Sequence, residues 1–330
     1  MAKYVIKRLL YSLLILFVVS LAIYGLVRCL PNDYIDLKFA DKLAQKQITE
    51  EQILDIKKLY GLADNSFGGI IKGYFQWLGN ALRGNLGMSF KFELPVAEVI
   101  GEYMWISFWI ALVAMVLQFL IAIPLGVMSA THQYSPLDYT VTVLTMIGIS
   151  LPSFFLGTLL IKVFASNTGW LPMQGLVDAK ADYTGIAHVG DVIRHCILPV
   201  ATLVIINIGG LMRYSRTNTL EVLNADYIRT ARAKGCSEKS VIYKHVFRNT
   251  MIPLVTMMAG LLPSLFGGAM ITEEVFALQG FWLKAYQSLK EGDVPFIMGY
   301  NMFLAILTVI GTLLADLAYA IVDPRVKLDR

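Results

Sequence analysis

Charge is scarce in this chain. Lys, Arg, Asp and Glu make up 16% of its 330 residues, whereas an ordinary soluble domain is about a quarter charged. So little charge cannot solvate the whole surface of a globule, which excludes a soluble enzyme, a nucleic-acid-binding module and a disordered chain. Cysteine is equally sparse. Cys29, Cys196 and Cys236 stand far apart with no CxxC spacing, which argues against a disulfide framework or a metal site. No GxxxxGK[ST] phosphate loop occurs, so the chain cannot bind and hydrolyse ATP in the P-loop manner. The four histidines are scattered, and no Ser/His/Asp, Cys/His or metal-ligand cluster appears. None of this is the equipment of an enzyme, and no cofactor is expected on this chain.

Apolar sequence is abundant instead, at 56% of residues, and it is clustered. Charge-free runs cover 9–27, 103–137, 139–161, 195–212, 249–272 and 294–315. Each is long enough, or nearly so, for the roughly 20-residue helix that crosses a bilayer. A transmembrane barrel is excluded because its strands alternate apolar and polar residues. The fold class is an all-α polytopic membrane protein with six transmembrane helices, at about 9–29, 103–129, 139–165, 195–215, 251–272 and 295–320. The run 9–27 follows Lys3, Lys7 and Arg8 but leads into Arg28-Cys29-Leu30-Pro31 without a small-residue cleavage site. It reads as a retained first helix, not a signal peptide.

The Lys/Arg bias of the connecting segments sets orientation. With residues 1–8 inside, the inside segments 1–8, 130–138, 213–248 and 316–330 carry +3, −1, +5 and 0. Outside, Arg28 and the segments 30–102, 162–195 and 273–293 carry +1, −2, 0 and −2. Both termini are therefore expected on the cytoplasmic side of the membrane. The organisation follows: 1–29 as tail and first helix, 30–102 as an external region, and 103–330 as a five-helix core with an inside loop at 213–250.

The external region has its own helical pattern. Thr49-Glu50-Glu51-Gln52 reads as a capping box, Ile53, Ile56 and Leu59 repeat at helical spacing, and Gly61 is the expected stop. Tyr74-Phe75-Gln76-Trp77-Leu78 leads into the turn Gly84-Asn85-Leu86-Gly87. The region is either a small packed cap or a docking surface. Pro124 and Pro152 predict kinks in the second and third spans. Pro199 and Pro253 are expected near span starts, where a missing N–H is harmless.

Ion-coupled carriers keep ionisable groups deep in the membrane, and these runs hold none. Lys162 and Asp316 fall near span ends, and Glu273 and Glu274 at the outer edge of the fifth span. Gln118, Ser150, Asn207, Thr256 and Asn301 are polar groups within spans. They either bond between helices or, for Gln118, Asn207, Thr256 and Asn301, line a permeation path.

The inside loop is the most informative segment. At 100° per residue Leu220, Leu223, Tyr227 and Ala231 share one face, with Arg229 and Arg232 on the other. Ala231, Ala233 and Gly235 permit close backbone approach, and Gly235 is a natural helix stop. A second short helix is expected from about Ser237 to Phe247. The loop helix lies either on anionic lipid or against a cytoplasmic partner.

The stretch 226–253, DYIRTARAKGCSEKSVIYKHVFRNTMIP, closely resembles the cytoplasmic loop of permease subunits of binding-protein-dependent ABC importers, dipeptide/oligopeptide/nickel branch. Resemblance extends over nearly the whole chain. It includes Lys3-Tyr4-Val5-Ile6-Lys7-Arg8-Leu9-Leu10, Gly84-Asn85-Leu86-Gly87-Met88-Ser89, Ile149-Ser150-Leu151-Pro152-Ser153-Phe154-Phe155 and Tyr319-Ala320-Ile321-Val322-Asp323-Pro324-Arg325. The general family loop has Glu-Ala-Ala where Arg229-Thr230-Ala231 stand, a substitution usual in the peptide branch. Pro31-Asn32-Asp33, Gly84-Asn85-Leu86-Gly87 and Gln279-Gly280 replace the family's Pro-Gly-Asp, Gly-Asp-Leu-Gly and Pro-Gly. These departures are all outside and concern partner or substrate detail.

The resemblance implies a type I ABC importer permease (MetI-like) fold. It further implies a second homologous permease, two cytoplasmic ATPase subunits that hold ATP and Mg, and an extracytoplasmic substrate-binding protein. Membrane lipid surrounds the spans, and nucleic acid has no role. Ala225, Asp226, Tyr227, Ile228, Arg229, Thr230, Ala231, Arg232, Ala233, Lys234 and Gly235 would form the helix that sits in an ATPase groove and couples closure to the spans. Peptides are the implied cargo, with nickel or another small solute as the alternative. A self-contained secondary transporter or channel would need an intramembrane relay or a repeated half, and neither appears. A non-transporting scaffold would leave the polar span residues without a common cavity.

Overall fold

Inside a bilayer each backbone donor and acceptor needs a partner from its own segment, so long apolar runs fold as helices. The computed structural model describes residues 2–29, 34–45, 47–59, 63–179, 183–267 and 269–322. Among these residues the regular elements are helices, with one isolated bridge pairing Met88 and Pro95. In chain order they begin with α1 (Ala2–Arg28), α2 (Tyr34–Ala44), α3 (Glu50–Leu59), α4 (Phe67–Ala81) and α5 (Val96–Thr131). Next come α6 (Pro136–Ser150), α7 (Ser153–Leu160), a π-helical turn Ile161–Ser166, α8 (Ile186–Leu223), α9 (Asp226–Ala233) and α10 (Glu238–Ser240). A second π turn, Val241–Val246, leads into α11 (Phe247–Gly260), followed by α12 (Leu262–Gly267), α13 (Met270–Val275), α14 (Phe281–Lys290) and α15 (Val294–Val322).

Leu10–Arg28, α5, α8 and Val294–Leu314 are each long and apolar enough to cross a membrane. The expected third span is bent by 104° between Pro136–Ser150 and Ser153–Ser166. Pro152 lacks an N–H and forces Leu151 ahead of it into an extended conformation, ψ 131°, so the break falls where proline chemistry puts it. Two expectations are corrected. The fifth span, 251–272, is no single helix but the succession α11, α12 and α13, with Leu261 and Ala269 outside the helices. Gly260, Pro263 and Gly267 within so short a run destabilise continuous helix. Pro199 and Pro253 lie inside α8 and α11, not at their starts, because α8 extends back to Ile186 and α11 to Phe247. Pro124 likewise lies within α5.

The chain divides into two compact units. The first holds Met1–Trp105 with Gly280–Leu313, and the second is built on Ile106–Gln279. In the first, Tyr74 of α4 is fully buried, and its hydroxyl lies 2.7 Å from Ser20 Oγ of α1. The capping box forms reciprocally: Thr49 N–H donates to Gln52 Oε1 at 2.9 Å, and Gln52 N–H to Thr49 Oγ1 at 3.3 Å. It starts α3, whose Ile53 is buried with Ile35 of α2 beside Phe39 and Ile56. Gly84 and Gly87 take φ of 81° and 92°, a left-handed backbone that suits glycine. Gly61, Pro31-Asn32-Asp33 and Asp323-Pro324-Arg325 lie outside the described residues.

In the second unit α8 is the central element. A Cβ built on Gly209 of α8 would stand 2.7 Å from the Thr145 carbonyl of α6, and one on Gly126 of α5 would stand 2.7 Å from the Met212 carbonyl of α8. Glycine at these positions lets α5 and α6 close on α8. The first turn of α6 is pinned to α8 by charge: Arg216 of α8 donates from Nε and Nη2 to the two carboxylate oxygens of Asp138, each at 2.9 Å.

Candidate functional site

The loop after α8 folds on a local logic. The helix stops at Leu223, Asn224 caps it, and Ala225 is extended at φ −71° and ψ 145°. Then α9 begins. It ends in a Schellman arrangement, with Gly235 N–H bonded to Arg232 O at 2.9 Å and Cys236 N–H to Ala231 O at 3.2 Å. This geometry requires a left-handed residue, and Gly235 supplies it at φ 79°. Ser237 caps the return helix by accepting from Ser240 N–H at 3.4 Å. The return runs through α10 and the π turn straight into α11, so the second short helix expected at 237–247 is continuous with the membrane-directed segment.

Ile228 and Ala231 bury the inner side of α9 against Val241 and Val246, with Val222 and Leu223 packed alongside. The expected packing face is corrected here. Tyr227 is 48% exposed while Ile228 is fully buried. The extended residue Ala225 interrupts the helix, so the 100° phase carried through from Leu220 no longer applies beyond it. Ala231 is buried as expected. Arg229, Thr230, Arg232, Ala233, Lys234 and Gly235 are exposed. Arg232 donates to both carboxylate oxygens of Glu238, at 2.6 and 3.2 Å, which holds the Glu238 carboxyl below its ordinary range. The result is a small packed hairpin with its own apolar core, an exposed aromatic at Tyr227 and a basic outer side.

The polar residues of the spans divide differently. Gln118 of α5 donates to the Asn207 carbonyl of α8 at 3.1 Å, and both residues line one cavity of about 360 Å³ in the second unit. Asn301 belongs to the first unit and bonds within its own helix, to Ile297 O at 2.8 Å. The side chain of Thr256 lies outside the described residues. Ser150 and the Asn207 amide also bond to carbonyls of their own helices, four residues back, so Gln118 supplies the bond between helices. Ser107, Ser264, Thr272 and Glu273 share the cavity. Sequence reading placed Glu273 at a span edge. It is 4% exposed, and Ser107 Oγ donates to it at 2.6 Å. Its burial beside Ser107, 166 residues away in sequence, is what hydropathy along the chain does not record. Among the described residues no group of three or more His, Cys, Asp or Glu side chains could hold a metal ion.

Residues 122–328 match the family model described as the binding-protein-dependent transport system inner membrane component. The chain is 37% identical over 328 residues to the oligopeptide transport system permease protein AppB of Bacillus subtilis, covering 99% of this chain and 100% of that protein. It is 34% identical over 329 residues to a Brucella suis protein named "putative peptide permease", again covering 99% of this chain and 100% of the relative. The matched segment contains α8, α9, Gly235 and α11 to α13, so the hairpin and most of the cavity lining fall within it.

Proposed function

The chain belongs to the family of binding-protein-dependent transport system inner membrane components, and from that premise we propose that it is the peptide-conducting permease subunit of an ATP-driven importer. It is a multi-pass membrane protein and is not itself the catalyst, because ATP hydrolysis in such systems belongs to a separate subunit. The observation that carries the cargo is similarity along the whole chain to relatives named as oligopeptide and peptide permeases.

The partners follow from the family: a second permease, ATPases and an extracytoplasmic binding protein. The hairpin at 225–235 is the proposed contact with one ATPase. Its apolar core lets it move as one body, its exposed Tyr227 can enter a groove, and Arg229 and Lys234 can meet acidic groups. We place this hairpin and both termini in the cytoplasm, and the region 30–102 outside, on the strength of the Lys/Arg bias. Gln118 and Asn207, lining one cavity, are the proposed path residues of this subunit, with Thr256 and Asn301 as the further candidates. ATPase closure shifts the equilibrium between outward and inward access only if the two states bind it with different affinity. A stiff hairpin joined directly to α8 and α11 is suited to carry that difference into the spans.

The test is purification of the intact complex from its native membrane, with mass spectrometry of the subunits and of the retained ligand. Two ATPases, a second permease and bound peptides are expected. A complex loaded with nickel or another small solute and never with peptide would overturn the cargo.

A further inference from the structure

A peptide in transit carries one N–H and one C=O at each link whatever its side chains, and each is costly to leave unpaired away from water. The cavity of about 360 Å³ in the second unit has walls that impose that cost. Ile110, Ala114, Met115 and Leu203 are apolar, and the helices that carry them, α5 and α8, are both long and apolar enough to cross a membrane. Gln118 and Asn207 are set into the same wall, one on each of these helices. A primary amide offers two N–H donors and a carbonyl oxygen. Gln118 Nε2 donates to the Asn207 main-chain carbonyl at 3.1 Å, and Asn207 Nδ2 to Leu203 O at 2.8 Å. Among the described residues these are the bonds of the two amides, so each retains one N–H and its carbonyl oxygen. That is the same complement a peptide link presents.

We propose that Gln118 and Asn207 read the main chain of peptide cargo, pairing with a peptide link as it passes the cavity and leaving the side chains unread. Both groups are neutral, so they pair with cargo without the grip of an ion pair, and weak binding is what allows onward movement. The small Ala111 and Ala114 and the adaptable Met115 form the adjoining wall of α5, which suits side chains of different size. The permease then recognises what all peptides share, independently of the binding protein. This inference rests on the peptide-importer reading above and states what its two path candidates recognise.

The experiment uses the whole complex in proteoliposomes with saturating loaded binding protein. The probes are trialanine and its analogue methylated on the second peptide nitrogen, which has the same ends and side chains but lacks one N–H. The ratio of the two uptake rates is compared between wild type and Asn207→Leu, so that the preference of the binding protein cancels. The ratio is expected to fall about five-fold in Asn207→Leu, the size of one neutral hydrogen bond. Gln118→Leu should lower it to a similar extent. It also removes the bond between the helices, so Asn207→Leu, which keeps that bond, serves if Gln118→Leu does not assemble. An unchanged ratio in either assembled variant overturns the proposal, even where both rates fall together, as loss of a merely structural contact would produce. Wild-type complex that hydrolyses ATP but takes up neither probe would instead overturn the peptide reading on which the inference stands.

Discussion

Arg216 and Asp138 are 78 residues apart in sequence, yet their side chains meet through two parallel bonds of 2.9 Å. The Asp138 carboxylate also accepts from Ser129 Oγ and from Tyr134 N–H at 3.0 Å. Its side chain is 5% exposed and that of Arg216 25%. Removing one member of such a pair leaves the other buried and uncompensated. Asp138→Ala should therefore destabilise the purified protein by about 3 kcal/mol, the lower end of the range for broken buried pairs. Arg216→Lys should cost less, since it keeps the charge but loses the fork. Unfolding in mixed micelles with rising SDS measures both, and equal stability for Asp138→Ala and wild type would contradict the assignment.

Close helix approach gives a second expectation. A Cβ on Gly209 would lie 2.6 Å from Ile149 Cδ1 as well as 2.7 Å from the Thr145 carbonyl. The side chain can yield, but the carbonyl belongs to a helix backbone. Gly209→Val should cost about 1–3 kcal/mol through overpacking, read by the same titration. Gly210→Ala, at a position where an added Cβ meets nothing within 4 Å, should be nearly neutral.

The Arg232–Glu238 pair predicts a pH dependence confined to the hairpin. Arg232 donates to the Glu238 carboxylate and holds its pKa below the ordinary 4.5. A depressed carboxyl contributes stability that is present above the unfolded-state value and is lost as pH falls through the folded value. Amide exchange in α9, corrected for the intrinsic rate, should be steady from neutrality to about pH 5 and accelerate only below the ordinary glutamate range. Acceleration between pH 7 and 6 would point to a different group. Both side chains are substantially exposed, so the effect is local opening of the hairpin and not unfolding of the chain.

Much of this architecture was legible because it is local. The capping box at Thr49, the break at Pro152 and the left-handed turn at Gly235 depend on a few neighbouring residues, and each appears where the sequence placed it. The inner face of α9 was not legible, since a single extended residue at Ala225 resets the helical phase and exchanges Tyr227 for Ile228. Pro199 shows the same limit: the polar residues 186–194 ahead of the apolar run continue α8, so its first turn lies well before the hydrophobic boundary. Glu273 and Asp138 are harder still. Their burial comes from elements distant in sequence, and hydropathy along the chain carries no record of it. The candidate path divides for the same reason, because Gln118 and Asn207 meet across two helices while Asn301 belongs to the other unit.

Topology has a direct check in the native cysteines. Cys236 is exposed beside the Gly235 turn, so with the hairpin inside it should resist an impermeant maleimide in intact cells and react in inverted vesicles. Reaction in intact cells would reverse the orientation.

The central claim is that ATP-driven peptide movement is coupled through the hairpin, and Gly235 isolates it. A Cβ at Gly235 meets nothing within 4 Å in this chain, so Gly235→Val acts within the subunit only through the left-handed backbone, at about 1–2 kcal/mol, and otherwise through whatever the hairpin contacts. The decisive measurement is ATP-dependent peptide uptake, together with substrate-stimulated ATP hydrolysis, by the reconstituted complex carrying Gly235→Val. The account predicts an assembled complex in membranes whose stimulation and uptake are both lost, against ATP-dependent uptake by wild type. Wild-type stimulation and uptake in the variant would place the coupling contact elsewhere and contradict the account.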